Sequence, residues 1–303
     1  MHRLAPIALL WLVASPLHAQ GNGLAFLALD PDPVAQGAGG AYTASTRGAF
    51  AMFFNPAGLA GESRNSIKLG FLDWIEGAQT YSAGGRFSLG EHAGAGLYVL
   101  STSSGDLEAR DVPGPSAGTF EVQYLAVGGG LARVFGPVQV GAGVKILSER
   151  VFESSASGYA VDAGIQAIPT DGVRFGASIQ HLGDMNELDV EATPLPRTIR
   201  GGVSVRPFRL MEATANATLL STALHAEVVN RSEQEEPTQF RFGAEVTLFD
   251  LLTVRGGYIS GDSVRNLSAG AGLAVGSFNV DYAMLPLDTG FGTGQLISVG
   301  YSW

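Results

Sequence analysis

The chain contains no cysteine. That absence removes lipid attachment through an N-terminal cysteine, disulfide bridges, thiolate metal sites and cysteine nucleophiles together. It also lacks any run of ~18 consecutive apolar residues, so no transmembrane helix can be drawn. Charged residues are scarce, at 15%, and the formal net charge is −10. This argues against nucleic acid as a partner, because binding phosphates needs a basic stripe. Helical His-Glu-x-x-His, calcium-loop and phosphate-loop patterns are missing as well. Gly261-Asp262-Ser263 has the lettering of a lipase block but stands near the C-terminus in a predicted loop, not on an early strand-to-helix turn. His92, His181 and His225 have no serine-rich motif beside them and read as strand-end or loop residues. No catalytic residue, cofactor or metal is expected.

What is present starts with an export signal. Met1, His2 and Arg3 give a short basic start, and Leu4 to Ala14 an apolar core. Ser15-Pro16-Leu17-His18-Ala19 then supplies a helix break and a small residue, so residues 1–19 read as a signal peptide and Gln20 as the mature N-terminus. The 42 glycines and 9% aromatics make the remainder strand-and-turn material.

From Ser66 onward the sequence alternates. Val138, Val140, Ala142, Val144 and Ile146 share one face, against Gln139, Gly141, Gly143 and Lys145. Phe240, Phe242, Ala244, Val246 and Leu248 likewise oppose Arg241, Gly243, Glu245 and Thr247. A period of two over nine or ten residues is a strand with two chemically different faces. Fourteen strands are predicted, at 66–74, 78–88, 92–102, 118–134, 137–149, 157–168, 172–182, 196–206, 211–228, 238–248, 251–260, 265–275, 277–285 and 294–303. Every other connection is tight: 89–91, 136, 169–171, 207–209, 249–250 and 276. The others, including 103–117, 183–195, 229–237 and 286–293, are mostly longer and more polar.

That alternation places all tight turns at one end of an all-β, up-and-down antiparallel transmembrane β-barrel spanning residues 66–303, of the bacterial outer-membrane kind. A soluble β-sandwich burying the same apolar faces is the competing reading, but its strands average only ~5–6 residues. The barrel places Lys145, Asp162, Gln166, Arg174, Arg200, Asn216, Arg241, Glu245, Arg255 and Asp281 in the lumen. It places Phe87, Phe135, Phe208, Phe249 and Phe278 in an aromatic girdle near the tight turns. Ile297, Val299, Tyr301 and Trp303 share the outer face of a final strand, with Tyr301 and Trp303 as the C-terminal signal for barrel assembly machinery. Lipid and that machinery are the partners this architecture implies.

Residues 20–65 do not alternate. They hold the small-residue run Gly37-Ala38-Gly39-Gly40-Ala41 and the string Phe53-Phe54-Asn55-Pro56-Ala57-Gly58-Leu59. Asn before Pro is a helix-start signal, in which the amide caps and Pro occupies a position needing no N–H. A compact segment of this kind fits inside a fourteen-stranded wall as an N-terminal plug, with Gly37, Gly39, Gly40, Asn55, Pro56, Ala57 and Gly58 as its key residues. A tail lying beneath the barrel is the alternative.

Phe26-Leu27, Ala35-Gln36-Gly37-Ala38-Gly39-Gly40-Ala41 and Asn55-Pro56-Ala57-Gly58-Leu59-Ala60 together resemble the N-terminal signature of the PorV/PorQ family, within the wider superfamily of the FadL long-chain fatty-acid transporters. The resemblance implies a non-enzymatic component of type IX-like protein secretion or surface attachment, with secretion-apparatus subunits and exported proteins as partners. The loops look too short, and the chain too small, for the external fatty-acid-collecting surface of the FadL branch. Passive transport of hydrophobic small molecules is the alternative, and it predicts an apolar path leading to a gap in the wall.

Overall fold

The computed structural model describes residues 24–75, 77–109, 118–207, 220–232, 237–288, 290 and 292–303. The predicted signal peptide, Asn216 and Phe208 lie outside these. Alternation becomes wall. The first strands are β1 (Ser66–Asp73), β2 (Gln79–Ser88) and β3 (Ala93–Ser103), followed by a short hairpin of β4 (Leu107–Ala109) and β5 (Gly118–Phe120). Then come β6 (Val122–Phe135), β7 (Val138–Val151), β8 (Ser154–Thr170), β9 (Val173–Met185) and β10 (Thr198–Val205). The series finishes with β11 (Leu220–Arg231), β12 (Gln239–Leu248), β13 (Leu252–Ser260), β14 (Leu267–Val275), β15 (Phe278–Pro286) and β16 (Thr293–Ser302).

All strands except β4 and β5 form one closed antiparallel barrel of fourteen, in which β1 pairs with β16. The strand series closes at this seam: Asn65 and Trp303 exchange two backbone hydrogen bonds, of 2.9 and 3.0 Å. Closure leaves the barrel sheet without an edge strand, the condition for strands to cross hydrocarbon. On β7, Val144 and Ile146 are 63% and 69% exposed while Lys145 and Leu147 are 3% and 1% exposed. The apolar face therefore points outward and the polar face inward. Phe87, Phe135, Phe249, Phe278 and Trp303 are all exposed at the tight-turn end. Tyr301 stacks on Trp303 with ring centroids 5.7 Å apart.

Several boundaries differ from the sequence expectation. The fourth wall strand begins at Val122, not at residue 118, because Gly118–Phe120 pairs with Leu107–Ala109 in the separate hairpin. Glu121 marks the division, accepting from the Ser103 hydroxyl and, at 2.7 Å, from Gln123 Nε2. Strands β7 and β8 outrun their expected ends and meet in a two-residue turn at Phe152-Glu153, so one connection at the loop end is also tight. Finally, β11 is described from Leu220, and most of the expected 207–209 turn lies outside the described residues.

The core lies inside the barrel. Residues 24–60 form 3-10 turns at Ala25–Ala28, Gly48–Phe53 and Pro56–Leu59 and the short helix α1 (Pro33–Gly37). Nearly every side chain of this inner segment is buried against the inward strand faces, Arg47 being the exposed one.

Candidate functional site: the barrel interior

The inner segment is tied to the wall by its Asn-Pro-Ala string. Asn55 Oδ1 accepts from Ala57 N at 3.0 Å, capping the turn that Pro56 opens. Its Nδ2 donates outward, to the carbonyls of Ile165 at 3.0 Å and Ala177 at 3.3 Å, and also to Thr43 at 3.2 Å. Ile165 and Ala177 face each other across β8 and β9, so one side chain reads both strands. Gly164 makes the approach possible, since a methyl group there would overlap the Asn55 carboxamide. Gln166 adds two donations, to the carbonyls of Thr43 and Thr46 at 3.0 Å each, and Ser178 one to Phe54 at 2.7 Å. Each such bond contributes about 1 kcal/mol, and more is lost when a buried partner is left unpaired.

The glycine run docks on the opposite side. Gly39 and Gly40 both adopt left-handed backbone, with φ of 68° and 69°. Gly39 N donates to Ser268 Oγ at 3.1 Å, and a side chain on Gly39 would strike the Phe242 carbonyl. A Cβ on Gly37 would stand 3.0 Å from the Gly270 Cα. Gly58 lies against the Thr46 carbonyl and Ala57 is fully buried. Gly37 and Gly39 thus lie against the wall, whereas Gly58 packs within the segment itself.

The lumen divides into two chemically distinct sectors. Along β10–β15 and β1 it is largely ionic, with a small apolar cluster of Leu72, Ala283, Leu285 and Leu296 packed against Leu29. Asp30 of the inner segment pairs with Arg200 at 2.8 Å and Arg241 at 3.3 Å, and Arg200 reaches Glu227 at 3.5 Å. Glu227 in turn accepts from Thr43 N at 2.8 Å. Arg255 bridges Asp281 at 2.9 Å and Glu245 at 3.5 Å, while Lys68 pairs with Asp32 at 3.2 Å. Burial alone would raise the Asp30 carboxyl, but Arg200 and Arg241 outweigh it and hold it below its ordinary value. Opposite charges brought together out of water are held mainly by one another. Arg174 also faces inward, half-buried, without an ion pair among the described residues. At the tight-turn end this sector opens into a cavity of about 380 Å³ lined by Tyr42, Lys68, Arg255, Asn279 and Asp281.

Along β3 and β6–β9 the interior is apolar. Leu24, Phe26, Leu27, Met52 and Leu59 of the segment pack with Tyr98, Leu100, Ala126, Leu147, Met185 and Leu195. Phe26 stacks on Tyr124 at 4.8 Å between centroids, with 11° between the ring planes. The run extends from the loop end, where Leu24 N donates to the Pro194 carbonyl, to Leu59 near the tight turns. One ionic knot interrupts it: Lys145 Nζ lies 2.8 Å from Asp162 Oδ1 and 2.7 Å from His181 Nδ1. There β8 and β9 slip register between Val161 and Ala163, and His181, with φ of 62°, turns inward beside Gln180.

Of the residues expected in the lumen, Lys145, Asp162, Arg200, Arg241, Arg255 and Asp281 are buried and Glu245 is half-buried. Sequence reasoning missed Asp30, Glu227 and Arg86. Arg86, 0% exposed, donates to the carbonyls of Leu59 at 2.9 Å, Arg64 at 2.7 Å and Glu62, fixing the segment's exit. A lone arginine within the otherwise uncharged β2 was the available signal. His181 and His225 are lumen residues, not loop ones, because the bulge and the strand phase carry them inward. His225 stands between Ser45 Oγ at 3.3 Å and Glu245 Oε1 at 3.0 Å, with Ser45 6% exposed. Among the described residues no group of three His, Cys, Asp or Glu is placed to hold a metal.

No family model matches the chain, and no curated protein does. Solved structures do. The Ralstonia pickettii toluene transporter TbuX superimposes with a TM-score of 0.59 at 16% identity, over 89% of this chain and 96% of that one. The CymD monoaromatic hydrocarbon channel gives 0.60 at 14%, over 89% and 96%. A Pseudomonas aeruginosa FadL homologue gives 0.56 at 12%, over 90% and 98%. Identities this low establish a shared fold, that of FadL-type outer-membrane barrels.

Proposed function

We propose that the protein is a non-enzymatic bacterial outer-membrane channel for small hydrophobic molecules, with residues 24–60 acting as its plug. The observation that carries this reading is the apolar sector on one side of the lumen, lined by the inner segment and interrupted at the Lys145–Asp162–His181 knot. The hydrocarbon-channel fold supports it. A ligand of this class would travel along β3 and β6–β9, and the Leu24–Leu27 turn and Met52 occupy that route in the closed state. The wall ladder is continuous around the ring among the described residues, its register shifts confined to β8–β9. Passage therefore depends on movement of the plug and not on a gap standing open.

Uptake of a radiolabelled monoaromatic hydrocarbon by cells with and without the protein tests the reading. Faster saturable entry in the expressing cells supports it; equal entry in both removes it. Secretion-linked barrel function keeps the support of the N-terminal string alone. Its mark would be loss of a set of surface-attached proteins from a deletion strain.

A further inference from the structure

The apolar sector holds a carboxyl group that the passage of hydrocarbon does not need. Glu149 points inward near the loop end of β7, 3% exposed, and faces Tyr124 on β6. Thr193 Oγ1 donates to its Oε2 at 2.7 Å, and the Tyr124 phenol interacts with it as well. A carboxylate offers about four lone-pair positions, so room for another donor remains. No ion pair reaches Glu149 among the described residues. Lys145, on the same inward face, is taken by Asp162 and His181, while Arg150 points to the lipid side beside Glu121. Arg200 and Arg231 act on His181 from the ionic sector, but both also act on Asp30, to which Arg200 is bonded.

The same chemistry continues inward. On β3 and β6–β9 the buried side-chain atoms without a hydrogen bond are Asp162 Oδ2, Gln166 Oε1 and Gln180 Oε1, all acceptors. The nitrogens in that state belong to arginines of the ionic sector. A buried acceptor is satisfied only by a donor. Above this end of the sector, the 186–197 connection exposes Glu187, Asp189 and Glu191 against Arg197 alone, a balance that opposes the entry of anions.

Phe26 marks the place of a ligand. Its ring lies flat on Tyr124, the wall residue that faces Glu149, with centroids 4.8 Å apart and 11° between the planes. We infer that the sector selects uncharged aromatic molecules carrying a hydroxyl, small phenols, whose ring replaces Phe26 on Tyr124 and whose hydroxyl donates to Glu149. The inference rests on the channel reading and names its substrate class. A carboxylate in this place would meet Glu149, and a protonated amine would shed its hydration into an apolar route. A hydroxyl recovers its smaller desolvation cost through one bond.

Fluorine NMR of the full protein in detergent, referenced to protein-free micelles, gives dissociation constants for para-fluorophenol, para-fluorotoluene and para-fluorobenzoate. The phenol should bind about tenfold more tightly than the toluene, as for one buried hydrogen bond, and the benzoate more weakly than either. Glu149→Leu should abolish the preference for the phenol and keep the toluene. Phe26→Ala should strengthen binding of both by vacating the slot. Equal affinity for phenol and toluene, tightest binding of the benzoate, or no binding at all would each overturn the assignment, and these outcomes need no variant. A preference intact in Glu149→Leu, or affinities unmoved in Phe26→Ala, would overturn it too. Toluene bound without preference for the phenol leaves the channel reading standing, so the two fail separately.

Discussion

At the scale of single residues, the interior is held by a few side chains that each serve two elements. Asn55 caps its own turn while bonding two strands. Replacing it with Ala removes the cap and leaves the Ile165 and Ala177 carbonyls without that donor, a loss of about 2–4 kcal/mol for several buried bonds. Thermal unfolding in detergent should register it as a lower Tm, and planar-bilayer recording as more frequent opening. Gly39→Val should open the channel too, since valine resists φ of 68° and meets the Phe242 carbonyl. Unchanged conductance in both variants would mean that the segment does not gate. Asp30 gives the pH prediction. Its carboxyl lies below the ordinary range when folded, so its stabilisation is complete above about pH 4 and is lost as pH falls through the lower folded value. Asp30→Asn should remove that acid-side dependence. It should also cost about 3–5 kcal/mol at neutral pH, as for breaking a buried ion pair, because Arg200 and Arg241 are left uncompensated.

At the scale of elements, the wall was legible and its contents were not. Period-two alternation reports which way a side chain points, and in a two-solvent barrel wall that is nearly the whole determinant of strand position. Val144 and Lys145 illustrate it, adjacent in sequence and on opposite faces. The β4–β5 hairpin escaped detection because Gly118-Thr119-Phe120 runs into Val122 with no turn residue between them. The bulge at His181 escaped because a register slip leaves no mark in one strand read alone. Asp30 and Arg86 were illegible for another reason. Their partners are 170 residues away at Arg200 and, for Arg86, backbone carbonyls with no sequence signature. The two-face argument makes its own prediction. Val144→Arg puts a charge on the lipid face and should weaken folding into vesicles by about 2–4 kcal/mol if the site is near the midplane, less towards the rim. The inward-facing Ser178→Ala should cost about 1–3 kcal/mol through the Phe54 carbonyl it abandons. Urea titration of the refolded barrel compares the two.

At the scale of the whole molecule, one barrel encloses two immiscible environments, and the inner segment is the partition between them. Leu24, Phe26, Leu27, Met52 and Leu59 pack towards β3 and β6–β9, Leu29 joins Leu72, Leu285 and Leu296, and Asp30 and Asp32 meet cations on β10, β12 and β1. Deleting residues 24–60 should therefore do more than widen a pore. It should expose the ionic network to water and merge the sectors, giving ion conductance together with faster entry of apolar solutes. A deletion protein that folds, conducts ions and leaves hydrocarbon uptake unchanged would separate plugging from transport.

The pairing of Asn65 with Trp303 has a consequence for order in time. The seam joins the first strand made to the last, the most remote contact in sequence and so the slowest to form by chance encounter. The inner segment leads directly into that first strand, and Arg86 on the neighbouring β2 already grips its exit. The contents can thus be in place while the ring is still an open sheet, and the pairing of Asn65 with Trp303 is what shuts it. A nascent barrel of this design is filled first and sealed last.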